Sequence, residues 1–394
     1  MAHPDPTGRR ACLTRAAWWA WAARLGAMSP GLAMSAPAAP PASEPAVHPG
    51  RRLSWPRDLG SHPAARTEWW YLTGWLAEPG APAHAPPAWG FQITFFRSRT
   101  DLAADSRSAF APHQLIVLHA AVTDVAGQRL WHHQQVARAG LGVAEAAETD
   151  TAVHLRDAAL LRQAGATAGR SVYEGRVRTP DFALQLQARS TQPWLLQGQA
   201  GYSRKGPGAA QASHYYSEPQ LAVTASLQVA AGAAGASAAA SSLQGRAWLD
   251  HEWSESVLDA QAVGWDWVGM NLDDGSALMA FRIRDRQGRA MWAGGGWRGP
   301  DGRQQDWSPH QVSWTPLAHW DSPRTRARYP TAWQLDVGGQ RYTVRALVND
   351  QEQDTRGSTG TAYWEGLSAL HDAQGRRVGW GYLEMTGYAG KLSL

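Results

Sequence analysis

The sequence predicts an all-β protein made of two similar antiparallel units, closed barrels or packed sandwiches. Three observations carry that prediction. The 394 residues hold 22 Trp against 6 Phe, with 40 Gly and 24 Pro, so strand-forming aromatics alternate with turn residues. The apolar runs are short, bounded by turn signals and not separated by helical spacers. One pattern also returns: Trp70-x-x-x-Gly74 before "GFQITFFRSR" is echoed by Trp265-x-x-x-Gly269 before "ALMAFRIRDR". With the length, that echo favours two units of about 150–190 residues.

The elements follow in order. Residues 1–38 read as a signal peptide: Arg9-Arg10 stand in a charged region, an apolar stretch runs from Ala16 to Ala36, and small residues follow. The arginine pair suggests the twin-arginine route. Arg24 interrupts the apolar run, which falls short of the roughly 20 residues a spanning helix needs. The expected location is therefore periplasmic or secreted. Residues 39–52 read as a Pro/Ala-rich tether, 53–245 as the first β unit and 246–394 as the second.

"TEWWYLTGWL" and "WGFQITFFRS" flank a Pro- and Gly-rich separator and form a hairpin with a long tip. Further strand-like runs are "HQLIVLHAAVTD", "GQRLWHHQQVAR", "AVHLRDAAL", "SVYEGRVRTPDFALQLQAR" and "LAVTASLQV". The low-complexity segment Ala230–Ser242 reads as a flexible hairpin tip, because Gly and Ser interrupt it and it has no charged face. In the second half, Asp274-Gly275, Gly338-Gly339 and Gln374-Gly375 sit between apolar runs as hairpin turns.

Composition removes several function classes. Net charge is only +4 and the arginines are scattered, a solvated surface rather than a nucleic-acid face. The single cysteine, Cys12, lies in the leader. A disulfide framework, a thiolate zinc site and a cysteine nucleophile are thus excluded from the mature chain. There is no G-x-S-x-G, dinucleotide fingerprint or phosphate loop. His48 and His132-His133 lack metal-ligand spacing, so no metal site is expected.

Strand parity then sorts the candidate chemistry. In "AWLDHEWS", Leu249, His251 and Trp253 share one face, and Trp248, Asp250 and Glu252 the other. If the apolar pair points into a barrel, His251 points in with it, desolvated and neutral, while Asp250 and Glu252 turn toward arginines or solvent. Glu68, Trp70 and Leu72 share a face opposite Trp69 and Tyr71. Asp266 lies opposite Trp265 and Trp267, and His119 shares a face with Val117 and Ala121. Tyr215-Tyr216 precede a turn. Each of these ionisable groups alone suits a satisfied structural role in a β core. Several together in Trp-rich strands must pair or line a wet cavity, because an unpaired buried charge costs several kcal/mol, roughly.

At these motifs the chain resembles a known family. "PRDLGSHPAARTEWWYLTGWL", "WGFQITFFRSR", "HYYSEPQL", "AWLDHEWSES" and "GWDWVGMNLDDGSALMAFRIR", in that order, are similar to the carotenoid 1,2-hydratase-like (AttH-type) family, over roughly Leu53 to Gly390. The resemblance implies two consecutive lipocalin-like antiparallel β-barrels around an apolar cavity. Hydratase members add water across a terminal alkene. The resemblance carries over Glu68, Trp69, Trp70, His119, His251 and Trp253; for a hydratase, His251, Asp266 or Glu68 would supply the acid and base, and the ligand contacts expected are Trp69, Trp70, His119, Tyr216, Trp253, Trp265 and Trp267. In hydratase members an aspartate lies one strand beyond His-x-Trp. Here that strand, Ala277–Arg284, holds no acid before Asp285.

Hydration needs a proton donor, indole faces to shelter a tertiary cation, and a base for the added water, with no metal or organic cofactor. The expected partner is an apolar isoprenoid or lipid ligand, with possible peripheral contact to membrane lipid and no nucleic acid. A carrier or scavenger that binds lipid without chemistry is the competing reading. Sugar binding and ester hydrolysis are the further alternatives, the latter without an evident nucleophile.

Overall fold

Strand-forming residues in alternating register build two large antiparallel sheets. The computed structural model describes residues 47–82, 85–101, 105–108, 110–230, 241–256 and 258–391. The first sheet holds β1 (Thr67–Ala77), β2 (Trp89–Arg99), β3 (Gln114–Asp124), β4 (Arg129–Arg138), β5 (Ala144–Ala146), β6 (Ala152–Leu155), β7 (Ala158–Ala164), β8 (Ser171–Arg178), β9 (Phe182–Arg189), β10 (Leu195–Leu196), β11 (Tyr202–Arg204), β12 (Ala212–Val229) and β13 (Ser241–Ser254). The second holds β14 (Gly264–Leu272), β15 (Ala277–Arg284), β16 (Ala290–Arg298), β17 (Gln304–Trp307), β18 (Val312–Asp321), β19 (Arg328–Val337), β20 (Gln340–Ala346), β21 (Glu352–Asp354), β22 (Ala362–His371) and β23 (Arg377–Met385). The fold is all-β, as expected. Among the described residues the helical elements are two short 3-10 turns, Arg57–Leu59 and Pro309–Gln311.

Hairpins expected from turn chemistry are present. β1 pairs with β2, β14 with β15, β19 with β20 and β22 with β23. The Ala230–Ser242 segment joins β12 to β13, which pair antiparallel; residues 231–240 lie outside the described residues, as do the expected signal peptide and the start of the tether. Within the tether span, Val47 packs on a hydrophobic cluster and Arg51 donates to Asp58 at 2.6 Å, so the folded part begins before residue 53.

The 245/246 boundary drawn between the two units falls inside β13. That strand pairs with β1 from Thr67↔Ser254 to Ala77↔Gln244, and Gly245 allows a close crossing, since a Cβ there would lie 1.8 Å from the Trp75 carbonyl oxygen. "AWLDHEWS" therefore completes the first sheet, and the second begins at Gly264.

The ends of each sheet return toward each other. β5 and β6 come against β3 and β4, and β18 comes against β15 and β16. Trp70, Leu72, Phe91, Leu118 and Leu249 fill the first interior; Val268, Met270, Trp333, Leu335 and Leu383 fill the second. A third cluster, including Tyr71, Trp248, Trp267, Phe281 and Tyr382, lies where the sheets meet. β1 faces β23 there, β2 faces β22, and β12 and β13 face β14. Gln220, at a bulge in β12, pins this junction: its backbone N–H donates to Asn271 Oδ1 at 2.8 Å and its side chain to the Leu272 and Ser276 carbonyls.

Candidate functional site

The inward face of β1 and β13 carries Glu68 and His251 into a closed ionic knot. His251 Nε2 donates to Glu68 Oε1 at 2.8 Å, so Tyr216 donates its hydroxyl to Nδ1 at 3.1 Å. Arg97, opposite Glu68 on β2, donates from Nε to Oε2 at 2.7 Å. His62 donates from Nδ1 to Glu68 at 2.7 Å and from Nε2 to Asp58 at 2.9 Å, so both its nitrogens face carboxylates. Its ring stacks on Trp253 at 3.6 Å, and Trp70 stacks on His251 at 4.7 Å. Burial alone would raise the Glu68 carboxyl; hydrogen bonds from His251 and His62 hold it well below its ordinary range instead. Burial pushes His251 down, toward the neutral ring. The 47–66 segment covers this knot, with Leu53, Trp55 and Leu59 packed around Tyr216 and Trp253.

His62, Glu68 and His251 are of the right types to hold a metal, with ligand atoms within 4.8 Å of one another. Hydrogen bonds already occupy the gaps between them, and the Arg97 guanidinium sits on the same carboxylate. A dication would have to displace those protons beside a fixed positive charge, so the trio fits a metal poorly.

Asp266 stands in a second knot of the same design. It points into the second interior, accepts from Arg282 Nε at 2.7 Å and the Tyr388 hydroxyl at 3.0 Å, and has Arg284 Nε beside it as an ion-pair partner at 2.9 Å. Arg282 lies directly across on β15, as Arg97 lies across from Glu68. The internal echo is thus real at the level of design: each unit ties an acid on its first strand to an arginine on the second. Glu68, His251 and Asp266 do not converge on one cavity.

The cavity lies on the other face of the same strands, between the sheets. About 710 Å3 of space unfilled by atoms lies between its walls, the open mouth included. Trp69, Tyr71, Phe96, Tyr215, Trp265, Trp267, Phe281 and Tyr363 supply its aromatic walls. Four carboxyls, Asp250, Glu252, Glu365 and Glu384, line it with one ammonium, Lys205. Lys205 is taken by Glu252 at 2.9 Å and lies over Phe281 and Tyr215. Among the described residues no cation pairs with Asp250; Tyr215, Ser217 and Trp248 donate to it at 2.7, 2.5 and 2.6 Å. Burial pushes the Asp250 carboxyl up to about 7 against those donors, which favour the carboxylate. Glu365 and Glu384 are cross-strand partners on β22 and β23. Burial first, then the like charge of Glu384, raises Glu365 well above the carboxylate range; burial pushes Glu384 up to about 7. Such a pair titrates as one unit and keeps a proton near neutrality.

The AttH-like family pattern matches residues 46–388. The chain belongs to the AttH-like family. A protein of Nitrosomonas europaea assigned to AttH is 43% identical, with a TM-score of 0.77 over 87% of this chain and 98% of that one. Kievitone hydratase from Nectria haematococca shares the fold at 13% identity, with a TM-score of 0.61 over 86% of this chain and 94% of that one. CghA does so at 14% identity and a TM-score of 0.50, over 82% and 89%. No curated protein matches in sequence.

In this AttH-like protein the residues singled out from sequence divide by face. Trp69, Trp265 and Trp267 line the pocket. Trp70, Tyr216 and Trp253 pack around the Glu68 knot instead. His119 stands one residue behind the lining: Tyr363, on the pocket wall, bonds its Nδ1 at 3.0 Å, and Ser358 bonds Nε2 at 2.8 Å. Burial lowers the His119 pKa to about 3, so it serves as a neutral hydrogen-bonding group. The pocket acids were not singled out, because acids opposite an apolar face read as solvent-facing. One signal marks three of the four: an aromatic two residues before the acid, in Trp248-x-Asp250, Tyr363-x-Glu365 and Tyr382-x-Glu384.

Proposed function

We propose that this protein binds an apolar, unsaturated small molecule between its sheets and catalyses acid–base hydration or isomerisation of a carbon–carbon double bond. The observation that carries this reading is the set of proton-holding carboxyls inside an aromatic pocket. Glu365, on the pair that retains a proton, suits the acid: its O–H proton passes to one alkene carbon, the π bond breaks, and a cation forms on the other. The faces of Trp69 and Trp267 would shelter that cation. Asp250, whose three donors favour the carboxylate, suits the base. It takes a proton from the water whose oxygen bonds the cation, giving the alcohol, or takes a neighbouring C–H proton, giving the shifted alkene.

A likeness to kievitone hydratase supports the hydration reading at the level of fold alone. The signal peptide expected at residues 1–38 favours action outside the cytoplasm. Lipid carriage without chemistry would need the walls and leave the acids without a role.

The test is turnover of an acyclic isoprenoid alkene in D2O, read by mass spectrometry. Deuterium should enter at carbon, and Asp250→Asn or Glu365→Gln should lower the rate about 10²–10⁴-fold, with His251→Gln retaining deuteration in whatever fraction stays folded. Binding of the unaltered alkene, with no deuterium exchanged, would overturn catalysis and leave the carrier.

A further inference from the structure

The deep end of the pocket holds polar atoms that the protein itself does not satisfy. Both carboxyl oxygens of Glu365 and the hydroxyl of Tyr71 lack a hydrogen-bond partner among the described residues, though Glu365 is 2% exposed and Tyr71 6%. Tyr71, Tyr363 and Gln92 lie round the Glu365 carboxyl, yet none closes a well-formed bond to it. Tyr363 is committed elsewhere. Gln134 donates from Nε2 to the Asp354 carbonyl at 2.7 Å, which turns its Oε1 to accept from Ser358. Ser358 therefore accepts from His119 Nε2, and His119 Nδ1 must accept the Tyr363 hydroxyl proton. Buried groups left unmade in this way are costly, and in a pocket they mark where a ligand's polar atom goes.

The charge balance adds a second constraint. One lysine faces four carboxyls, and it is paired to Glu252. A carboxylate ligand would enter a site already rich in its own charge, with no cation left to meet it.

We propose that the pocket selects a neutral apolar ligand bearing one oxygen function, seated between Glu365 and Tyr71, and rejects carboxylate anions such as fatty acids. This rests on the pocket being the ligand site, but not on whether the ligand reacts. The oxygen would take the Glu365 proton donor and the Tyr71 hydroxyl, and the chain would lie along Trp69 and Trp267.

The experiment is calorimetric titration of the whole protein at pH 8 with three C15 probes: farnesol, the triene hydrocarbon in which hydrogen replaces its hydroxyl, and farnesoate. Farnesol should bind tightest, the hydrocarbon about 10-fold more weakly, and farnesoate at least about 100-fold more weakly. Tyr71→Phe and Glu365→Leu should each erase most of the preference for alcohol over hydrocarbon while leaving the hydrocarbon affinity within about 3-fold; Tyr71→Phe serves if the other variant fails to fold. Equal affinity for alcohol and hydrocarbon, or farnesoate binding as tightly as farnesol, would overturn the selection while the pocket stands. Binding of none of the three would overturn the pocket as an isoprenoid site and this inference with it. Deuterium incorporation, measured separately, reports on catalysis alone.

Discussion

Two sets of acids lie on opposite faces of the same two sheets. Glu68 and Asp266 point into the two interiors, and each meets an arginine directly across the hairpin. Asp250, Glu365 and Glu384 point into the space between sheets and meet hydroxyls, an indole or each other. Hydrogen bonds hold Glu68 ionised, and two arginines and a tyrosine lock Asp266; the second set keeps protons and leaves polar atoms open. Burial is therefore no guide to role. What decides whether an enclosed carboxyl can do proton chemistry is whether a fixed cation has already claimed it.

The largest break in this comparison comes from removing a cation. Arg97→Met leaves Glu68 buried against two imidazoles with no guanidinium, and should cost about 3–5 kcal/mol in urea unfolding. Arg282→Met should cost less, about 1–3 kcal/mol, because Arg284 and Tyr388 still hold Asp266. Equal costs, or none, would show that the knots do not lock their acids.

The pH dependence sharpens the contrast, because the two sets pull in opposite directions. Glu68 and Asp58 have depressed pKa values in the fold, Asp58 at about 2 where His62, Ser54 and Arg51 outweigh its burial. Their contribution is complete above their unfolded values near 4 and is lost as pH falls through the folded values. Asp250 is the reverse case. Its folded pKa of about 7 stands above the unfolded 3.8, so the folded state holds the extra proton, and stability falls as pH rises from 4 through 7. Asp250→Asn should flatten that decline, raising stability at pH 8 by on the order of 2–4 kcal/mol while leaving pH 4 nearly unchanged. A variant less stable than the parent at pH 8 would contradict the assignment.

The smallest effect separates open polar atoms from used ones. Tyr71→Phe removes a hydroxyl without a hydrogen-bond partner among the described residues and should shift stability by less than about 0.5 kcal/mol. Tyr216→Phe removes the donor to His251 Nδ1 and should cost about 1 kcal/mol.

The sequence carried the strands, most hairpins and the sorting of side chains by face, because alternation is a local property. Glu68, Trp70 and His251 do share the inward face expected of them, and Trp69, Trp265 and Trp267 the other. Local pattern could not show which face would be enclosed on both sides. Asp250 and Glu252 look solvent-facing on β13 alone; they are buried because β14 packs over β13 and Glu365 and Glu384, more than a hundred positions away, line the same pocket. Asp58 and His62 lie inside the quoted motifs but meet the Glu68 knot only once the 47–66 segment folds over it, and Arg97 meets Glu68 through the β1–β2 register, which strand parity alone does not set.

The most direct test of the account is a crystal structure of the full chain bound to a C15 isoprenoid alcohol. The account predicts density between the two sheets, against Trp69 and Trp267, with the oxygen at Glu365 and the Arg97–Glu68 pair undisturbed. Density inside the first barrel, against His251 and Trp253 with that pair broken, would contradict it.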